Sequence, residues 1–190
     1  MPADSIGKRW KAISAIGAIV ASTATAIYRP PPIGDPQSFI ALGTLVSSVT
    51  SGLLYAAMTR FAARRYALHW IVAAIAGSAG AVWCHSHYGT LSDTRVAVYQ
   101  GEQFVIGDDY TPEGAAWAAA HGHDPNTVLF DFGGVATNAW TRESIERVKG
   151  RMRLSYYAVF PLVALAILAT VQAVDVGKRS GRRKSRGVNA

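Results

Sequence analysis

The sequence predicts an α-helical integral membrane protein: four transmembrane helices with a small α/β extracytoplasmic insertion between helices 3 and 4. Three observations predict it. Leu154–Val174 is an apolar run of 21 residues without a charge, about 31 Å long as a helix and so long enough for roughly 30 Å of hydrocarbon. The bases Lys178, Arg179, Arg182, Arg183, Lys184 and Arg186 follow with no acid among them. Such a one-sided cluster marks a cytoplasmic end and a contact with anionic lipid headgroups. Half of the 190 residues are apolar, and they occur in blocks, where a soluble domain would disperse them along amphipathic periods.

The net charge of +7 raises nucleic acid as a partner until its location is considered. Residues 86–153 hold nine acids and six bases, a net −3, while the rest of the chain holds thirteen bases and three acids, a net +10. The excess lies beside the apolar blocks, where each base gains about 1 kcal/mol from anionic lipid. The expected partner is therefore the bilayer, not nucleic acid. Cys84 is the single cysteine, so no intramolecular disulfide can form.

Residues 1–11 are polar and basic and read as a cytoplasmic N-terminal segment. Ala12–Tyr28 follows as a first span of 17 residues, about 26 Å and at the short limit for crossing a bilayer. Lys8, Arg9 and Lys11 before it, with Ala24-Thr25-Ala26 near its end, also resemble a secretory signal and its cleavage site. Ser14, Ala18 and Ser22 recur at four-residue spacing. A helix face of small residues lets another helix approach closely. Arg29–Pro36 contains three consecutive prolines, which cannot continue a helix. A second span at 37–59 carries the small stripe Thr44, Ser48 and Gly52, and a third at 66–83 carries Ala73, Gly77 and Ala81. Together these make residues 12–84 the block of transmembrane helices 1–3. The fourth, 154–174, is richer in large aliphatics, so the first three are expected to pack closely and the fourth to face lipid. Arg60, Arg64 and Arg65 in the link between spans two and three place that link inside with the basic tail 175–190. Both termini are then cytoplasmic and the protein sits in a plasma membrane, bacterial by its alanine- and arginine-rich composition.

Residues 85–153 are the one stretch outside the spans large enough for a domain. Arg95–Gly107 reads as two short strands around Gln100-Gly101. Thr111-Pro112-Glu113 reads as a helix start with a capping hydroxyl, a pre-organised first residue and an acid at the positive dipole end. That helix should stop at Gly122. Asn126–Phe132 is expected to be a third strand, and Thr141 caps a helix through Ile145 and Val148 that reaches Gly150 and can enter the fourth span. Arg147, Lys149, Arg151 and Arg153 are awkward here, being bases on the side assigned as outside.

His85, His87, His121 and His123 are the ligand-type residues, beside Cys84 and Asp124, and a zinc-type site needs three or four such groups convergent. The fold would have to bring together two pairs 34 residues apart. No other cofactor is expected. Asp108 and Asp109 are adjacent, which makes turn formation a simpler role than acid–base chemistry. Gly133-Gly134 lacks the lysine and spacing of a phosphate loop, and no nucleophilic triad is found. Buried charges that mark ion routes are absent from the spans, with Gln172 the one deep amide and His69 near a boundary. The expected function is non-enzymatic: sensing, binding or assembly through the extracytoplasmic domain, with a homo-oligomer or a membrane subunit as partner. The alternatives are an oligomeric channel or membrane-disrupting effector, and a metal-dependent membrane enzyme using the histidines.

Overall fold

The computed structural model describes residues 31–33, 36–61 and 64–187. Three long apolar helices stand out: α1 Pro36–Arg60, α2 Ala67–Arg95 and, last in the chain, α6 Arg142–Gly187. Each contains a stretch long and apolar enough to cross a bilayer. Between α2 and α6 lie strands β1 Val96–Tyr99 and β2 Glu102–Val105, then short helices α3 Pro112–His121, α4 Pro125–Asp131 and α5 Ala136–Ala139. The chain divides into two compact units, one containing Phe39–Trp83 and the chain from Tyr157 on, the other containing Cys84–Tyr156.

The first unit is inside-out by the standards of a soluble bundle. On α1 the residues facing inward are Phe39, Gly43, Ser47 and Ser51, while Leu42, Leu45, Val49 and Leu53 face out, the last 68% exposed. Water would reverse that pattern, because it rewards burial of the large aliphatics. Lipid tails solvate leucine as well as a protein core does, so helices associate through close-packing small residues. This is a multi-span helical membrane protein with a small extramembrane β-element.

Helix α6 holds the bundle together. The Phe39 ring stacks on Tyr157 at 5.7 Å. One turn on, the Phe160 ring occupies the space where a Cβ on Gly43 would stand, within 2.6–3.0 Å. Both pairs advance together, so α1 and α6 run parallel. Against α2 the order reverses: Gly77 meets Ala166 and the Leu162 carbonyl, and Gly80 meets the Leu162 side chain, so α2 runs antiparallel. The most apolar stretch of α6 is 39% buried, against 22% in α1 and 17% in α2. The expectation of a lipid-facing last helix is thus corrected. Phe160 and Leu162 fill the sockets that the glycines of α1 and α2 leave open.

The four-helix count is corrected as well: the described residues contain three long apolar helices, and the hairpin lies between the second and third of them. The count of four rests on Ala12–Tyr28, whose 17 residues supply about 26 Å and fall short of a full hydrocarbon thickness. That segment lies outside the described residues, as do Ser14, Ala18, Ser22 and residues 1–11. Helix α2 also runs twelve residues past the expected end at Trp83. Nothing there breaks it, and Cys84, Tyr88 and Leu91 are buried at helical spacing, with Tyr88 against Tyr156 at 5.9 Å.

In the second unit β1 and β2 form an antiparallel hairpin with Val96 opposite Val105 and Tyr99 opposite Glu102. Gln100 and Gly101 both have positive φ, 51° and 85°, the tight turn whose twist suits paired strands. Ala97, Ile106, Val128, Leu129, Ala139, Trp140 and Ile145 make the core. Helix α3 starts as its sequence suggests: Thr111 Oγ1 accepts from the Gly114 N–H at 3.0 Å and Pro112 is the first helical residue. The expected third strand at 126–132 is instead α4. Asp124-Pro125 repeats the cap-then-proline signature of Thr111-Pro112, and Val128 and Leu129 are both fully buried, which adjacent residues of a strand facing one core would not be.

Gly77→Ala should weaken the bundle by about 1–3 kcal/mol, the usual cost of overpacking, because the new methyl meets Ala166 and Leu162 backbone atoms at 2.9 Å. Gly52, with nothing within 4 Å, should accept alanine without loss. Thermal unfolding of the two variants in one detergent measures the difference.

Candidate functional site

A groove of about 550 Å³ opens on the second unit between the hairpin and α4, lined by Val98, Tyr99, Gln100, Asn126, Thr127 and Phe130. Its walls are held from both sides. The Val98 N–H donates to Asn126 Oδ1 at 2.8 Å, which occupies a donor on the outer edge of β1 that could otherwise template another strand. The Tyr99 ring lies over Gly134, where any side chain would collide with it. Gly134 has φ of 78° as well, so glycine is required there for conformation and for space.

Helix α4 is anchored at its start by Asp124, whose carboxylate accepts from the Thr127 N–H at 3.0 Å and the Thr127 hydroxyl at 2.6 Å. Those bonds, the hydroxyl's first, hold the Asp124 carboxyl below its usual range. With the helix so placed, Phe130 projects 68% exposed and Val98 50% exposed, facing the groove with Tyr99, whose ring is 6.1 Å from that of Phe130. An apolar floor rimmed by the amides of Gln100 and Asn126 and the Thr127 hydroxyl suits an aromatic or aliphatic side chain carried on a polar backbone. The lining has no nucleophile–base pair and no carboxylate pair.

Asp108 and Asp109 lie where the hairpin leads into α3, and they diverge. Asp108 accepts from Arg95 at 2.8 Å and Arg151 at 3.0 Å; Asp109 faces Arg147 at 3.3 Å. The Asp109 carbonyl also takes the Thr141 N–H at 2.9 Å and the Ser144 hydroxyl at 3.2 Å. This acidic pair therefore latches the loop to the first turns of α6. Lys149 pairs with Glu146 at 2.8 Å and Arg147 also with Glu143 at 3.5 Å. Three of the four bases that sit awkwardly in the sequence, Arg147, Lys149 and Arg151, are thus matched by carboxylates.

Of the expected ligand residues, His85 and His87 lie on α2, exposed and half-buried. His121 ends α3, stacked on Trp117 at 4.7 Å with Nδ1 3.2 Å from the Trp117 carbonyl. His123 faces the Tyr110 ring at 6.1 Å. Among the described residues no group of three or more His, Cys, Asp or Glu side chains is placed to hold a metal ion. His121 is placed by its stack on Trp117, while His123 makes a tilted ring contact with Tyr110.

The small-residue positions divide. Gly77 sits against α6, Ala81 is buried and Ala73 half-buried. Thr44 and Ser48 return hydrogen bonds to the carbonyls of Ile40 and Thr44, at 2.9 and 2.8 Å, and Gly52 meets no atom within 4 Å. The inward stripe of α1 is the one a position earlier, Gly43, Ser47 and Ser51, which the sequence shows as plainly but which no spacing rule distinguishes from its neighbour. Lys178, Arg179, Arg182, Arg183, Lys184 and Arg186 fall within the last turns of α6. Comparison with protein-family models, with curated proteins and with solved structures finds no match.

Two outcomes follow from the anchors. Asp108→Asn should cost about 1 kcal/mol, the scale of part-exposed ion pairs, read as faster amide exchange around Arg95 and Arg151. Asp124→Ala should fray α4 by about 1 kcal/mol, the usual value of a lost cap. Because folding lowers the Asp124 pKa, its contribution is present above the unfolded value of about 3.9 and is lost as pH falls through the folded one. Thr127→Val should raise that folded pKa, which an NMR titration of the side-chain carboxyl in the purified full chain would follow.

Proposed function

We propose that this is a non-enzymatic plasma-membrane protein, of a bacterial cell by its composition, which displays its second unit on the outer face and uses the groove beside β1 to bind a partner. The observation that carries the reading is the pair Val98 and Phe130: large, apolar, at least half exposed and outside the apolar stretches of the helices. Exposed apolar surface that lipid does not cover is the usual mark of a recognition site. The orientation rests on charge. Arg60 and Arg65 precede one crossing and the basic tail follows the next, so link and tail share a side, and the positive-inside tendency makes that side cytoplasmic. The bases of the second unit weigh less here, because a long loop follows the charge tendency less strictly than a short one.

A second reading, self-association, is favoured by the outward stripe Thr44, Ser48 and Gly52 on α1. Its hydroxyls are satisfied within the helix and its glycine has open space, so a second copy could approach closely there. Under that reading Gly52→Leu shifts the detergent-solubilised protein to a smaller species.

In a Cys84→Ala background, a cysteine placed at Ala119 should react with a membrane-impermeant maleimide in intact cells, and one at Ser185 only after permeabilisation. The reverse pattern would remove the proposed orientation. Photo-crosslinking amino acids at Phe130 should give a discrete adduct absent when the probe stands at Ala119. Phe130→Ala should then weaken the captured partner by about 2 kcal/mol, roughly thirtyfold, as a central aromatic anchor does.

A further inference from the structure

Where α1 gives way to α2, Phe61, Tyr66, His69, Trp70 and Ala73 line a second cavity, open to the surface, of about 310 Å³. It belongs to the membrane-spanning unit and lies at the end of two apolar helices, the level of the bilayer–water boundary. We propose that this cavity seats an acyl chain of an anionic phospholipid whose headgroup rests on Arg60 and Arg65.

The lining selects an apolar occupant. The indole N–H of Trp70 is already taken by the Phe61 carbonyl at 3.1 Å. The rings pack on one another: Phe61 meets Tyr66 edge-on at 5.2 Å and Tyr66 meets His69 at 5.8 Å. The volume sits at the low end of ligand pockets, which run from about 300 Å³ upward, and cannot admit a helix about 10–12 Å across. A single hydrocarbon chain has the right cross-section and, in a membrane, is the molecule at hand.

The rim selects the charge. The Arg65 guanidinium is held over the Tyr66 ring at 4.8 Å, which fixes its stem at the mouth. Arg60 immediately precedes Phe61, and between Asp35 and Asp93 the sequence has no acid at all. In the second unit Arg95, Arg147, Lys149 and Arg151 each face a carboxylate. No such pair is found for Arg60 or Arg65 among the described residues. A phosphodiester at the boundary supplies an anion to both.

Native mass spectrometry of the delipidated full chain, titrated with phosphatidylglycerol or phosphatidylcholine of identical chains, tests the proposal. The wild type should retain one phosphatidylglycerol with a preference of roughly tenfold or more, from two guanidiniums acting on one anionic headgroup. Arg60→Gln with Arg65→Gln should abolish the preference while one lipid of either kind still binds. Ala73→Phe, filling the cavity, should lose that bound lipid while its helical circular dichroism stays unchanged. Equal retention of the two lipids by the wild type would overturn the proposal. So would unaltered preference in the double arginine variant, the result expected if the basic tail alone adsorbs lipid. The surface arginine pair keeps the test decisive if the filled cavity impairs folding.

Discussion

The close approach of α6 to two glycines is the contact on which the spanning unit depends. In lipid there is no water to expel, so helices gain little by pairing leucines, and dispersion between tightly fitted surfaces has to hold them. Gly43 receives the Phe160 ring and Gly77 receives the backbone around Leu162 and Ala166. Since dispersion falls steeply with a gap of even 1 Å, each glycine acts by what it lacks. The large aliphatics left over on α1 and α2 then face the hydrocarbon, and the inside-out surface follows from the same constraint.

A different balance governs the second unit, whose apolar core is modest and contains no disulfide. Its elements are short, so end effects are a large share of their stability: α3 and α4 each begin with a capping side chain and a proline, and α3 comes so close to Ala139 that Gly114 can carry no side chain. Asp108 and Asp109 add ion pairs and backbone acceptors where loop meets helix. Each is worth little alone at this exposure.

What the sequence made legible follows the range of the forces involved. The helix starts near residues 37 and 67, the hairpin about Gln100-Gly101 and the helix begun by Thr111-Pro112 depend on neighbours within a few residues, and helices and strands stand there. The strand expected at 126–132 failed because Val128-Leu129-Phe130 suits either a strand or a helix by apolarity; the discriminating signal, Asp124-Pro125, stood just outside the run. The extension of α2 past Trp83 failed because its apolar period thins to Cys84, Tyr88 and Leu91 among polar residues. Burial of α6 was illegible for another reason: large side chains suit lipid and glycine sockets equally, and only the partner helix decides. The groove beside β1 was likewise out of reach, since Val98 and Phe130 lie 32 positions apart and read separately as strand interior.

The hydroxyls of α1 show how one composition serves two surfaces. Thr44 and Ser48 face outward and spend their donors on carbonyls of their own helix, which is how a lipid-facing hydroxyl avoids an unmet bond. Ser47 and Ser51 face inward, fully buried, with no hydrogen-bond partner at Oγ among the described residues. A buried hydroxyl left unmet costs about 1–3 kcal/mol, yet rotation about one bond brings a serine Oγ to the carbonyl four residues back, as Ser48 shows. The parallel register that sets Phe39 on Tyr157 and Gly43 on Phe160 carries Ser47 and Ser51 to the levels of Ala164 and Leu168 on α6. At those levels serine is the next smallest side chain after glycine and alanine. Its size, then, and not its polarity, explains why it stands in the bundle's interior, continuing the close approach that Gly43 begins.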